Sequence, residues 1–324
     1  MSDLTMRISR RRFVVRSGMG LAGLLALGFA APVAYSDLRN RGLLGPKGPP
    51  LIAARPLPDS APGRAPPGFT GTGLDRIARG DWSGYWVVGD DGRLKEGDGS
   101  PLRGAIHIVA PDWSRVVATI PGAPGASLQG VAVDRSGEID TVWAACSATG
   151  TVRRYDLYGE DAGRERVADR IDLADFGIAG SANGLAIDLS TDTVLVSLYQ
   201  GNKVYRIGRE TERLVETITL GVEGTNLDST PDHLVYDAPS RRLFYSVGRN
   251  GRNGSIRSYD LAGGRDVVAF ANLDQCQAIE GFYIDADHSL LTVVSDGGFH
   301  VSARPPRNQA LTYRIGLPKT VAAG

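Results

Sequence analysis

Asn183-Gly-Leu-Ala-Ile-Asp188 opens on a polar amide, runs through a short apolar strand and closes on an aspartate. Three other segments follow the same template: Gln129-Gly-Val-Ala-Val-Asp134, Asp232-His-Leu-Val-Tyr-Asp237 and Glu280-Gly-Phe-Tyr-Ile-Asp285. A looser copy stands at Thr72-Gly-Leu-Asp-Arg-Ile77. Their starts lie 57, 54, 49 and 48 residues apart, which leaves room for four short strands and their turns. Self-similarity at such a period marks a repeat architecture.

The segments between the copies align as well. Second strands are expected at Gly84–Val88, Thr141–Ala145, Thr193–Leu198, Leu243–Val247 and Leu290–Val294, all rich in β-branched and aromatic residues. Third strands follow at Ala105–Val109, Thr151–Leu157, Lys203–Ile207, Ser255–Leu261 and Ala310–Ile315. Fourth strands follow at Arg115–Ile120, Arg166–Leu173, Leu214–Leu220 and Asp266–Leu273. No window sustains an apolar period of 3.6, so helices should be few. Four-stranded units repeated about every 50 residues predict an all-β fold, a β-propeller whose blades pack face to face around a channel. Five blades fit the count; six would need a further blade that the sequence does not display.

The last repeat lacks a fourth strand. Leu51-Ile-Ala-Ala-Arg-Pro-Leu57 resembles Val267-Val-Ala-Phe-Ala-Asn-Leu273, the fourth strand of the preceding unit. An N-terminal strand that completes the C-terminal blade would close the ring and remove its open edge. It should bury Leu51, Ile52 and Leu57.

The propeller is assigned to residues 69–318. Ahead of it, residues 37–68 hold eight of the eighteen prolines and read as an extended linker that includes the closing strand. Residues 1–36 read as an address. Ser9-Arg10-Arg11-Arg12-Phe13-Val14-Val15 fits the twin-arginine export pattern, an uncharged apolar run spans Gly18–Ala34, and Ala34-Tyr35-Ser36 offers a small-x-small cleavage site. The alternative is a basic amphipathic N-terminus or an uncleaved anchor. Export by this route carries folded proteins, so the expected location is periplasmic or secreted, with only transient membrane contact through the signal segment.

Composition narrows the partners. The 324 residues are 42% hydrophobic and 22% charged, enough for a large core. The formal net charge is zero. Five arginines against Asp3 make the first 36 residues basic, which leaves the body mildly acidic. Such a body does not suit nucleic acid, which requires a basic face. A small-molecule ligand or an envelope protein remains. Cys146 and Cys276 fall in blades two and five, which are not neighbours in a five-membered ring, so two free thiols are expected in preference to a disulfide.

In a propeller the template-initial residues Thr72, Gln129, Asn183, Asp232 and Glu280 should ring the axis at one end. That ring offers a hydroxyl, two amides and two carboxylates, the oxygen donors that calcium or another hard divalent metal takes. Zinc fits less well, since His107, His233, His288 and His300 form no ligand-spaced pair. The alternative is that these side chains cap strand starts or bind channel waters. Turns after the second strands should reach the same face. They bring Asp90 and Asp91, Ser147 and Thr149, Tyr199 and Asn202, Arg249 and Asn250, and Asp296 with His300 nearby. Arg249, Tyr199 and Asp296 are the candidate substrate contacts, Arg249 for an anionic group. Aspartates 134, 188, 237 and 285 should close turns at the opposite end. No G-x-S-x-G elbow, H-E-x-x-H pair or G-x-x-x-x-G-K loop occurs. Any hydrolysis would use water activated by a metal or a carboxylate.

The fragments Ser181-Ala-Asn-Gly-Leu-Ala-Ile-Asp188 and Thr230-Pro-Asp-His-Leu-Val-Tyr-Asp237 resemble strand starts of the gluconolactonase/senescence-marker-protein propellers. Glu280-Gly-Phe-Tyr-Ile-Asp285 with Leu291-Thr-Val-Val-Ser-Asp296 is similar to a pattern of the SdiA-regulated propellers; both groups are relatives of NHL-repeat proteins. The resemblance implies a calcium-binding propeller, six-bladed and lactone-hydrolysing in the first group, five-bladed in the second. It maps a metal-binding Asn onto Asn183, and a metal-binding Asp that doubles as catalytic base onto Asp232. Thr72 stands where the first group has a glutamate, and His233 where it has glycine. Two functions follow as expectations. One is a metal-dependent hydrolase of lactones or related esters, with Asp232 catalytic and Asn183, Glu280 and Gln129 as further ligands. The other is a non-catalytic binding propeller with a structural calcium ion.

Overall fold

Stacking one sheet against the next buries both faces of the inner strands and leaves only the outermost strand in water. That gradient is sharpest in blade 3 of the computed structural model, which describes residues 48–58, 69–92, 103–158, 165–221, 230–247, 254–297 and 308–316. Blade 1 comprises β2 (Gly71–Arg76), β3 (Trp86–Asp90), β4 (Ala105–Val109) and β5 (Val116–Pro121). Blade 2 comprises β6 (Leu128–Asp134), β7 (Thr141–Cys146), β8 (Thr151–Asp156) and β9 (Glu165–Asp172). Blade 3 comprises β10 (Ala182–Asp188), β11 (Thr193–Leu198), β12 (Lys203–Gly208) and β13 (Leu214–Thr219). Blade 4 comprises β14 (Leu234–Asp237), β15 (Arg242–Val247), β16 (Ser255–Asp260) and β17 (Asp266–Ala271). Blade 5 comprises β18 (Gly281–Asp285), β19 (Leu290–Asp296), β20 (Asn308–Arg314) and, outermost, β1 (Leu51–Pro56). The fold is a five-bladed β-propeller. Every residue of β3, β7 and β11 is buried, whereas β13 buries only Ile218. Continuous burial explains why the second strands read as unbroken apolar runs and not as alternating ones.

Each seam between blades has its own apolar cluster. Val87, Ile106 and Ile108 meet Leu128, Val142 and Tyr155 between blades 1 and 2. Phe244 and Phe270 meet Phe282, Leu291 and Tyr313 between blades 4 and 5. The core is thus divided among the seams, and each blade is stable only through its neighbours.

Ring closure is as the sequence reading has it. β1 pairs antiparallel with β20 from Leu51↔Tyr313 to Pro56↔Gln309, extended by Leu57 N–H to the Asn308 carbonyl at 3.0 Å. Leu57 is buried and Leu51 half-buried. Ile52 is not: it is 47% exposed, because on an outermost strand alternate side chains point away from the neighbouring blade. The other outer strands share a second property with β1. All five carry a register irregularity against the third strand, at Ile108/Val109, Val152/Arg154, Arg206/Ile207, Ile256/Arg257 and Leu51/Ala53. Such bulges twist an edge away from pairing with another chain.

Several strand boundaries shift by one or two residues. The second strand of blade 1 begins at Trp86 and not at Gly84. Gly84 sits at φ 85° and donates its N–H to the Ile77 carbonyl, so it belongs to the turn that precedes the strand. The fourth strand of blade 2 ends at Asp172, whose carboxylate caps a short 3₁₀ helix, Leu173–Phe176.

At one end of the barrel of blades, the repeated aspartates close turns as expected. Asp134 accepts from Ser136 N–H at 2.9 Å and Asp188 from Ser190 N–H at 3.0 Å. Asp237 accepts from the Ser240 hydroxyl and Asp285 from His288 N–H at 3.1 Å. The same end carries bonds that latch blade to blade. Arg135 of blade 2 donates to Asp75 of blade 1 at 2.7 Å, Arg209 of blade 3 to Asp134 of blade 2 at 2.6 Å, and Tyr236 of blade 4 hydrogen-bonds Asp188 of blade 3. Arg76 of blade 1 lies 3.6 Å from Asp285 of blade 5.

Candidate site at the channel mouth

The innermost strands begin at the other end, and there the pleat is interrupted. Registers shift at Gly71/Gly73, Leu128/Val131 and Ala182/Leu185, bracketing Thr72, Gln129 and Asn183. A bulge re-aims a side chain, and these three irregularities coincide with the template-initial positions of blades 1 to 3. In blades 4 and 5 the corresponding residues precede the regular strand. Asp232 N–H bonds the Ser246 carbonyl at 3.0 Å, and Glu280 N–H bonds the Val294 carbonyl at 3.2 Å.

Serines on the second strands hold this irregular backbone. Ser197 accepts from Gly184 N–H at 2.8 Å and donates to the Pro231 carbonyl at 2.9 Å, so it couples blade 3 to blade 4. Ser246 accepts from His233 N–H at 3.0 Å, and Ser295 from the amides of Gln277 and Ala278, each at 3.2 Å. All three serines are fully buried. Sequence reasoning missed them, although Ser197 and Ser246 share one position of the second strand and Ser295 stands one residue further along its own.

Asn183 and Asp232 are brought together. The Asn183 amide donates to Asp232 Oδ1 at 3.0 Å and to the Pro231 carbonyl at 3.3 Å. Asn183 is buried and Asp232 half-buried. Glu280 immediately precedes the next inner strand and is buried. Gln129 turns to its other side, where its amide donates to Asp91 Oδ1 and Ser127 Oγ, both at 2.9 Å. Ser127 also bonds Asp91, and Ser147 bonds Ser127 at 2.8 Å, so these four side chains make one network between blades 1 and 2. Thr72 donates to the Leu128 carbonyl at 2.7 Å.

The remaining candidates are spread widely. Tyr199 is 46% exposed and anchored by its N–H to the Ser181 carbonyl at 2.9 Å, beside the Asn183 strand start. Asp296 is buried at the end of β19, in register with Asn308. Asp90 is buried within blade 1, where His107 Nε2 meets its Oδ2 at 3.0 Å and His107 Nδ1 meets Thr119 Oγ1 at 3.0 Å. Thr149 pairs with Thr151 at 2.7 Å, and Asn202 with the Leu220 carbonyl at 3.0 Å. Arg249, Asn250 and His300 lie outside the described residues, as does the segment 1–36. Cys146 and Cys276 are both free and buried. Burial pushes the Cys276 thiol up to about 12, with a hydrogen bond to Ser295 lowering it slightly and Asp296 and Glu280 raising it further. At neutral pH the thiol therefore stays protonated.

His233 departs from the template with visible effect. Glycine occupies its position in the other four inner strands, and three of those strands touch the next blade backbone to backbone. A Cβ on Gly130 would stand 2.5 Å from Leu185 N, and one on Gly281 2.6 Å from the Gly73 carbonyl carbon. Gly73 meets the next blade in the same way, while Gly184 meets the Ser197 hydroxyl and the Leu234 side chain ahead of the Asp232 carbonyl at 3.1 Å. His233 instead sends its ring edge-on to Phe282 of blade 5, with centroids 5.2 Å apart, and donates Nε2–H to the Leu74 carbonyl of blade 1 at 3.1 Å. Blades 4 and 1 are not neighbours, so that bond is made across the channel. The ring is fully buried, and burial pushes its pKa down to about 4, which keeps it neutral.

Among the described residues, no three His, Cys, Asp or Glu side chains converge closely enough to hold a metal ion. A cation at this mouth would have to draw on amide as well as carboxylate oxygens. Asn183, Asp232 and Glu280, at the inner-strand starts of blades 3, 4 and 5, offer oxygen donors of the kind a hard cation takes.

No family model and no curated protein matches this chain. Solved structures do. Glutaminyl cyclase of Myxococcus xanthus is similar over 82% of this chain and 97% of its own, with a TM-score of 0.52 and 11% identity. The nidogen/laminin complex matches over 60% of this chain and 68% of its own, at TM-score 0.44 and 18% identity. The luciferin-regenerating enzyme matches over 75% and 77%, at TM-score 0.46 and 16% identity. At these identities the likeness concerns the β-propeller fold, which hosts many functions.

Proposed function

We propose that this chain is an exported, metal-dependent hydrolase of lactones or related esters, with its site at the Asn183–Asp232 end of the channel. One observation carries the reading. Asp232 is the half-buried carboxylate of the ring, and the Asn183 amide holds it in place at 3.0 Å. A carboxylate fixed by a neighbour yet open to the mouth suits a general base. Asn183, Asp232 and Glu280 would hold the divalent cation, calcium by chemistry of donors. When bound, the cation supplies a Lewis acid for the ester carbonyl. Asp232 takes a proton from the attacking water, the water oxygen bonds the carbonyl carbon, and the ring C–O bond breaks. The departing alkoxide recovers the proton and a hydroxy acid leaves.

The test is turnover of a lactone panel in the presence of calcium. Asp232→Asn should lower kcat/KM by about 100-fold or more, since a positioned base contributes roughly that much. Wild-type turnover that survives Asp232→Asn or exhaustive chelation would defeat the proposal. A second reading, a binding propeller with a structural ion, is favoured by the burial of Glu280 and Asn183. It predicts calcium-dependent thermal stability with no ester turnover. Export is tested by fusing residues 1–36 to a folded reporter. Replacing Arg10, Arg11 and Arg12 with lysine should retain the reporter inside the cell.

A further inference from the structure

We propose that His233 is a specificity-determining residue, the floor of the mouth, which confines ligands to the ring and prevents them from threading the channel. The size selection rests on the binding role given to the mouth above; the plug itself does not. At this position three inner strands meet the next blade by glycine-mediated backbone contact and a fourth, at Gly184, meets the Leu234 side chain and the Asp232 carbonyl, so none of the four sends a side chain of its own toward the axis. His233 is the side chain at the fifth equivalent position. It starts on blade 4, lies edge-on to Phe282 of blade 5 and bonds the Leu74 carbonyl of blade 1. One imidazole thus touches three of the five blades, with no exposed surface. Its Nε2 hydrogen is used by Leu74, and its Nδ1 has no hydrogen-bond partner among the described residues. The ring is therefore held from one nitrogen and by shape, as a plug is, rather than built into a polar network.

A plug of this kind can be lifted out and replaced. His233→Gly restores the glycine of the other four repeats and leaves an imidazole-shaped hole on the axis. The variant should melt several degrees below wild type and should bind free imidazole with a millimolar dissociation constant. Imidazole at ten times that constant should raise its Tm by about 3 °C or more. Wild type should show no such shift. Should His233→Gly fail to accumulate, His233→Ala carries the same test, and growth with imidazole should recover soluble protein. A variant that neither binds imidazole nor is rescued by it would overturn the plug, as would wild-type protein that responds equally. The selection is read as a ratio. In His233→Gly, kcat/KM for a lactone with a long unbranched tail, relative to γ-butyrolactone, should rise at least tenfold, and imidazole should reverse the gain. An unchanged ratio would overturn the specificity role. Absence of turnover in wild type would instead count against the mouth reading, while imidazole binding still decides the plug.

Discussion

The seam between blades 2 and 3 and the seam between blades 4 and 5 solve one problem in opposite ways. At the first, Gly130 lets two inner strands touch, and Arg209 ties the far end by reaching Asp134. At the second, His233 keeps the strands apart with a ring, and no arginine–aspartate latch between blades 4 and 5 stands among the described residues. Asp237, where such a latch would attach, is engaged by Ser240 of its own turn. Closure by backbone contact tolerates no added atom, because the neighbour is another strand. Closure by a side chain tolerates subtraction better, because the hole can be refilled. The irregular seam is also the one beside Asp232, so the departure from the repeat falls where the site lies.

The largest effect should come from removing the strand that completes the blade at the irregular seam. A chain starting at Asp59 loses the β1–β20 ladder and the burial of Leu57, which together stabilise by about 5 kcal/mol. A chain starting at Pro46 should match the full-length body in denaturant unfolding. Next comes the glycine seam. Gly130→Val places carbon against backbone and should cost about 3 kcal/mol. If it melts no lower than His233→Gly, the contrast between the seams is wrong.

Arg209→Met sharpens the comparison at the far end. Asp134 is wholly buried and keeps Arg154 at 3.2 Å, so the loss should be about 2 kcal/mol rather than the larger penalty of a stranded charge. Acid adds a signature. Burial pushes Asp134 up, but Ser136, then Arg209 and Arg154, outweigh it and hold the carboxyl below its ordinary value. A lowered folded pKa means that the unfolded chain takes up the proton first. The stabilisation is therefore complete at neutral pH and fades as pH falls below about 4. Arg209→Met should flatten that acid limb in melts recorded from pH 6 to pH 3. The smallest effect belongs to Asp237→Asn, expected to change stability by less than about 0.5 kcal/mol. A larger loss would reveal a latch at the irregular seam.

Much of the fold was legible because a propeller repeats its physics. The same strand, flanked by the same neighbours, recurs at each template copy, and the resemblance of Leu51–Leu57 to Val267–Leu273 carried even the closing strand. Ile52 was misjudged because a likeness of pattern says nothing about which face of an edge strand meets solvent. In the site, Asn183 and Asp232 were legible as strand-initial polar residues of adjacent blades. Gln129 occupies the same template position but faces a different neighbour: Asp91 lies in a turn of blade 1, and no repeat pattern predicts a bond between a strand start and another blade's turn. Ser197, Ser246 and Ser295 escaped notice because a buried serine inside an apolar strand looks like a weak strand former until its acceptor role is seen. His233 was visible as a departure, but its direction across the channel depends on the ring geometry.

The pairing of β1 with β20 also sets when the molecule can be finished. The partners are separated by about 260 residues, so the chain's first strand waits for its last. Blades 1 to 4 can assemble in order as they leave the ribosome. Blade 5 cannot, since its outer strand is made first and its three inner strands last. A chain broken off anywhere before residue 308 carries an orphan strand at its head and an open edge at its tail. Ring closure therefore ties the first strand of the fold to the last, and a chain that stops before residue 308 leaves β1 and β19 each without the partner strand between them.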